Sequence, residues 1–211
     1  MASGVTRQEA LLRQALTEAG LPLHYRVDHI NGRSYLEDGR EVGLIYPKSW
    51  FDRTAALPYV QKQIRFFFAG DMRSRGGRHG MIRRFVAGFP SQQLSITDSR
   101  WGKRPENKDV FDLDNYYFRL AQSEFGLCPH HLDWGGPRDT VWTYRFIDCV
   151  MVGTIPVLFE ATPLADSFVE GFRYVWDDDG TYGMADPDAW YTFRKDFAFE
   201  NRALAEDRFT L

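Results

Sequence analysis

Arg145 and Asp148 lie three residues apart in the stretch Asp139 to Val152, where Val141, Trp142, Tyr144, Phe146, Ile147, Val150 and Met151 recur at helical spacing. Guanidinium and carboxyl therefore share one side of a helix that stops at Gly153. A guanidinium presents a planar fork of donors that fits phosphate oxygens. A carboxylate accepts two hydrogen bonds from a vicinal diol. On a solvated face the same two residues would form an ordinary intrahelical ion pair, worth about a few tenths of a kcal/mol.

A second concentration of chemistry runs from Lys62 to Arg84. It holds seven basic residues (Lys62, Arg65, Arg73, Arg75, Arg78, Arg83 and Arg84) against one acid, Asp71. Gly70, Gly76 and Gly77 let the backbone come close to a ligand, and the helix that follows favours an anion at its N-terminus. A solvated basic loop, or a surface for an anionic polymer such as RNA, uses the same residues. Weaker signals surround these two. His130 and His131 follow an apolar run with Asp133 close by, and His131 could act as a base. Asp177-Asp178-Asp179 could ligate a hard cation, but with the glycine after it reads as a turn. His24, Asp28 and His29 are candidates for a base on the acceptor side, though polar loop residues describes them better; Glu160, just past an apolar run, is better placed at the cleft, with a surface carboxylate as the plain alternative; and Cys128 and Cys149 read as buried small side chains.

The elements that must position these residues follow from periodicity. Apolar runs at Ile64–Ala69, Gln93–Thr97, Glu124–Cys128, Ile155–Phe159 and Phe172–Trp176 predict strands. Helices are predicted for Leu11–Ala19, His79–Val86, Asp114–Ser123, Asp139–Val152 and Pro187–Phe209. Strands separated by helices give a parallel sheet covered on both faces, with ligands beyond the carboxyl ends of its strands. Ile45 to Pro58 and Asp98 to Asn107 read as connectors, rich in turn residues.

With 211 residues the chain suits a single domain. A net charge of −3 argues against a general nucleic-acid binder. Two cysteines make no disulfide framework, no apolar stretch is long enough to span a bilayer, and a reducing, cytoplasmic setting is the expectation.

Ser123, Phe125, Leu127, Cys128 and Pro129, then Arg145 and Asp148, then Gly153, Pro156 and Val157 reproduce a spaced pattern. It resembles the nucleotide-sugar-binding segment of exostosin-like glycosyltransferases, with Asp148 where that family usually has Glu. The strand and Gly/Arg loop at Ile64–Phe85 are similar to the segment that opens the donor domain of these GT-B enzymes. The resemblance implies an α/β fold: one Rossmann-like parallel sheet flanked by helices, like the C-terminal half of a GT-B glycosyltransferase. Residues 1–60 would be a reduced N-terminal lobe or extension, and 61–211 the nucleotide-sugar-binding core.

The implied activity is transfer of a sugar from a nucleotide-diphospho-sugar to a glycan or other acceptor hydroxyl, inverting and without a metal. Arg145, Asp148 and His131 would be the catalytic residues. Gly70, Arg73, Arg78, Pro129, His130 and Gly153 would join Arg145 and Asp148 around the donor. No cofactor is implied beyond the donor. The rival expectation is a non-catalytic nucleotide or nucleotide-sugar binding module acting as a partner subunit, with a homo-oligomer or a partner subunit as possible company, because 60 residues cannot form the full acceptor domain of a GT-B enzyme.

Overall fold

The computed structural model describes residues 7–28, 33–42, 44–70, 78–98, 113–129, 144–159, 169–177 and 191–211. In chain order, α1 (Arg7–Glu18) is followed by an antiparallel pair, β1 (Tyr25–Asp28) and β2 (Arg33–Leu36), and by the short α2 (Lys48–Arg53). Then come β3 (Ile64–Gly70), α3 (Arg78–Ala87), β4 (Leu94–Asp98), α4 (Leu113–Ala121), β5 (Ser123–Cys128), α5 (Tyr144–Met151), β6 (Ile155–Phe159), β7 (Val175–Asp177) and α6 (Lys195–Phe209). Strands β3 to β7 form one parallel sheet in the order β4-β3-β5-β6-β7. The expected parallel α/β sheet flanked by helices is what the chain builds.

Its inner strands β3, β5 and β6 are mostly apolar because both faces are covered. Side chains alternate between the faces. Phe66, Phe68, Phe125, Leu127, Ile155, Val157 and Phe159 pack on one side with Ile82 and Phe85 of α3 and with Tyr191. Phe67, Ala69, Cys128 and Leu158 pack on the other with Tyr117, Leu120 and Ala121 of α4 and with α5. The chain steps from β3 outward to β4, then returns past β3 to β5 and beyond. With right-handed crossovers throughout, that reversal puts α3 on the face opposite α4 and α5.

Helix α5 is unusually deep. Its residues Phe146 to Met151 are all buried, because α6 and the N-terminal segment cover its outer side. Arg202 of α6 fastens the layer. It donates to the carbonyl oxygens of Phe51, at 2.6 Å, and of Met151, and to Thr54 Oγ1 at 3.2 Å.

Several elements differ from the sequence reading. Residues 45–58 are no open connector: they contain α2 and a 3-10 turn at Leu57–Tyr59, and Ile45, Tyr46 and Phe51 are buried. The hairpin β1–β2 was not expected; it packs with Leu12, Ala15, Leu16 and Ile45 into a small cluster of its own. Helix α6 begins at Lys195, and the described residues before it, 191–194, are not helical. Strand β7 is shorter than Phe172–Trp176 and ends one residue later. The connector at 98–107 falls outside the described residues after Asp98. Among the described residues, no helix is long and apolar enough to cross a membrane.

Lys62, just before β3, ties the amino edge of the sheet. Its ammonium donates to the Ala121 carbonyl at 2.8 Å and the Gly153 carbonyl at 2.7 Å, joining the ends of α4 and α5. Burial lowers its pKa to about 8. Between about pH 8 and the ordinary lysine value the unfolded chain holds the proton that the folded chain has released, so stability rises with pH there. The unfolding free energy of the wild type minus that of Lys62→Met should therefore increase from pH 8 to pH 10.5, by up to about 3 kcal/mol. Urea unfolding at pH 7, 8, 9 and 10 checks this; a flat difference means the folded chain does not depress this ammonium.

Candidate functional site

In a sheet of this order the crevice for a ligand opens where the winding direction reverses, beyond the carboxyl ends of β3 and β5. Gly70 closes β3, and Pro129, which is buried, follows β5, so both stand at that point. The first turn of α5 brings Arg145 there. Its Nη2 donates to the Ala69 carbonyl at 2.9 Å, and its guanidinium carbon lies 4.5 Å from the centre of the Phe68 ring. The side chain thus starts from a helix on one face of the sheet and crosses the end of β3 to a ring on the other. Gly70 makes the crossing possible: a Cβ there would collide with Arg145 Nη2 and lie 3.0 Å from Phe68 Cζ. The guanidinium is anchored to backbone and ring, which holds a positive charge at the reversal point at little entropic cost.

Asp148, one turn further along α5, has a different environment. It is only 2% exposed. Tyr117 donates its hydroxyl to Oδ1 at 3.0 Å, Tyr46 to the same oxygen at 3.4 Å, and Tyr116 to Oδ2 at 3.4 Å. Trp50 of α2 stands edge-on to Tyr46 and Tyr117, with ring centres 5.9 and 6.0 Å away. These residues come from the N-terminal segment, from α4 and from α5, and converge because α4 and α2 lie against α5. Enclosure of the carboxyl by phenol donors meets the general requirement that a buried charge be hydrogen-bonded. In this arrangement the Asp148 carboxyl is enclosed by phenols, whereas the sequence resemblance has it accept directly from a ribose diol.

Gly153 also lies elsewhere than the resemblance implies. It precedes β6 and so lies at the amino edge of the sheet, the end opposite Gly70 and Arg145. Its φ of +74° is the left-handed conformation that ends α5, and an added Cβ would come within 2.9 Å of Pro58. Gly153 shapes the helix end and its contact with the N-terminal segment, and does not face the reversal point.

Arg78 is the first residue of α3, the helix that follows β3. Arg73, His130 and His131 fall outside the described residues, as do Asp133, Glu160, Asp178 and Asp179. Among the described residues, no group of three or more His, Cys, Asp or Glu could hold a metal ion. Cys128 and Cys149 are buried as expected, with their sulfurs 3.8 Å apart, and burial pushes the Cys149 thiol pKa up, which keeps it protonated.

The sequence reading missed the tyrosines. Tyr116 and Tyr117 read as helical core aromatics, and Tyr46 sat in a stretch taken for a connector. Linear spacing carries no sign that Tyr46 meets a carboxyl 102 positions away. Compared with known proteins, the chain matches no family model and no curated protein.

Proposed function

We propose that this chain binds a nucleotide-diphospho-sugar at the carboxyl edge of its sheet and transfers the sugar to an acceptor hydroxyl, as a glycosyltransferase-like protein. The observation that supports this most is Arg145, a planar cation anchored across the end of β3 at the point where the winding reverses. In this reading the acceptor hydroxyl attacks the anomeric carbon, the bond to the diphosphate breaks, and the configuration inverts. Negative charge grows on the departing diphosphate, and a donor already in place stabilises it without reorganising. Arg145 is that donor here, so the reaction draws on a fixed guanidinium where other enzymes use a metal. Arg73 and the start of α3 belong to the same proposal as further anion contacts.

A second reading keeps the binding site and drops the transfer. Among the described residues, 7–60 hold a helix, a two-stranded hairpin, a short helix and a 3-10 turn, and no second α/β layer. On that reading the chain presents a nucleotide-sugar to a partner that carries the acceptor.

Thermal melting with UDP, GDP and their sugars tests the site both readings share. A ligand at a hundred times its dissociation constant stabilises the fold by about 2.7 kcal/mol. Arg145→Ala should weaken binding about ten- to a hundredfold, the worth of a charge-assisted hydrogen bond. If no nucleotide raises the melting temperature at millimolar concentration, the proposal is wrong. Release of free nucleotide from the sugar donor in the presence of acceptor extract separates transfer from binding alone.

A further inference from the structure

Cys128 closes β5 and Cys149 lies in the second turn of α5, so their sulfurs come from different layers of the fold. Gly126 stands two residues before Cys128, on the same face of the strand. It makes room for the approach, because a Cβ there would collide with Cys149 Sγ. Its carbonyl oxygen also accepts from the Cys128 thiol at 3.4 Å. A glycine inside a strand gives up packing and backbone order, and it marks a place where another group comes close. Here that group is sulfur.

We infer that Cys128 and Cys149 form a reversible dithiol–disulfide pair, oxidised by exchange with a small disulfide, which fastens α5 to β5. The inference is independent of the nucleotide-sugar reading. The sulfurs are 3.8 Å apart and the bond is about 2.0 Å long, so about 0.9 Å of travel by each completes it. The surroundings favour the product: a disulfide is neutral and leaves no S–H donor to satisfy in an apolar interior.

The exchange runs in two steps. One cysteine thiolate attacks a sulfur of glutathione disulfide, that S–S bond breaks, and a glutathione leaves with the proton the cysteine gave up. The second cysteine sulfur then attacks the mixed disulfide, and the second glutathione leaves with the second proton. The protein has lost two electrons and the reagent has gained them. Both side chains are buried, so the exchange takes place while the chain opens or refolds, and at equilibrium the route of access has no effect on the outcome.

Refolding the full chain from urea at fixed glutathione and graded glutathione disulfide tests the pair. Samples started reduced and oxidised are held until they agree, and the same chain kept in urea is the reference. Alkylation of free thiols and mass spectrometry of unreduced peptides count the Cys128–Cys149 bond. Native proximity should bring half-oxidation at a glutathione disulfide level about a hundredfold lower than in urea. By linkage the oxidised wild type should melt about 5–10 °C above the reduced protein. Cys149→Ala should melt alike in the oxidising and reducing buffers. Half-oxidation at the same level in the folded and unfolded chain, or an oxidised wild type that melts no higher than the reduced one, overturns the inference and leaves two thiols that only pack. Glutathione adducts in place of the bond in the folded chain, or an equal melting shift in Cys149→Ala, overturn it as well.

Discussion

Phe66→Ala is expected to lower the unfolding free energy by about 3–5 kcal/mol, the upper range for losing a buried ring. Phe66 is fully buried in the middle of the sheet, on strand β3 between β4 and β5. Its ring centre lies 4.9 Å from that of Phe85, 4.5 Å from Phe89, 5.5 Å from Phe125 and 5.0 Å from Tyr191. Those partners come from α3, from the turn after it, from β5 and from the approach to α6. Removing the ring leaves a void that four separate elements would have to close together. They cannot do so without losing contacts with one another, so relaxation recovers little. A domain holds only about 5–15 kcal/mol in all, and the expected drop in melting temperature is about 10 °C or more. Phe118, nearly half exposed on α4, is the matched control: Phe118→Ala should stay within about 0.5 kcal/mol of wild type. Thermal melting of the two variants side by side checks both values. Equal effects would mean that the aromatic cluster on this face of the sheet does not hold it together.

That cluster also shows what could be read before any coordinates. Strands β3, β5 and β6 were legible because a strand covered on both faces is mostly apolar: Arg65 alone interrupts Ile64–Gly70, Ser123 and Glu124 only open Ser123–Cys128, and Ile155–Phe159 has no polar residue. The hairpin was not legible: Tyr-Arg-Val-Asp and Arg-Ser-Tyr-Leu are four residues each, rich in charge, and buried only by packing on α1 and Ile45. Residues 45–58 looked like a connector because Pro47, Ser49 and Pro58 are turn formers. What makes the stretch an element is tertiary, since Phe51 is fully buried and its carbonyl is held by Arg202 from the other end of the chain. Arg145 and Gly153 both came to the donor site through the resemblance; topology keeps Arg145, in the first turn of the helix after β5, at the carboxyl edge, and puts Gly153, which comes after that helix, at the opposite edge. Asp148 was assigned by its type and its distance from Arg145, and neither says that phenols from two other elements enclose it.

Asp148→Ala is expected to cost about 4 kcal/mol of stability, more than surface position or helix propensity could account for. The substitution improves the intrinsic helix preference of α5 at that position. It removes, however, the acceptor for the hydroxyls of Tyr46 and Tyr117, both buried, and a third contact from Tyr116. A buried donor left without an acceptor costs about 1–3 kcal/mol, and here two are left at once. The mechanism has its own signature. If orphaned hydroxyls cause the loss, removing them should recover part of it: Tyr117→Phe should destabilise the wild type by about 1 kcal/mol but stabilise the Asp148→Ala variant by a similar amount. Denaturant unfolding of the four proteins in this cycle reads the sign directly. Tyr117 is the sharpest probe because its hydroxyl makes the shortest of the three contacts, 3.0 Å. If Tyr117→Phe destabilises both backgrounds equally, the carboxyl is not what holds the phenols.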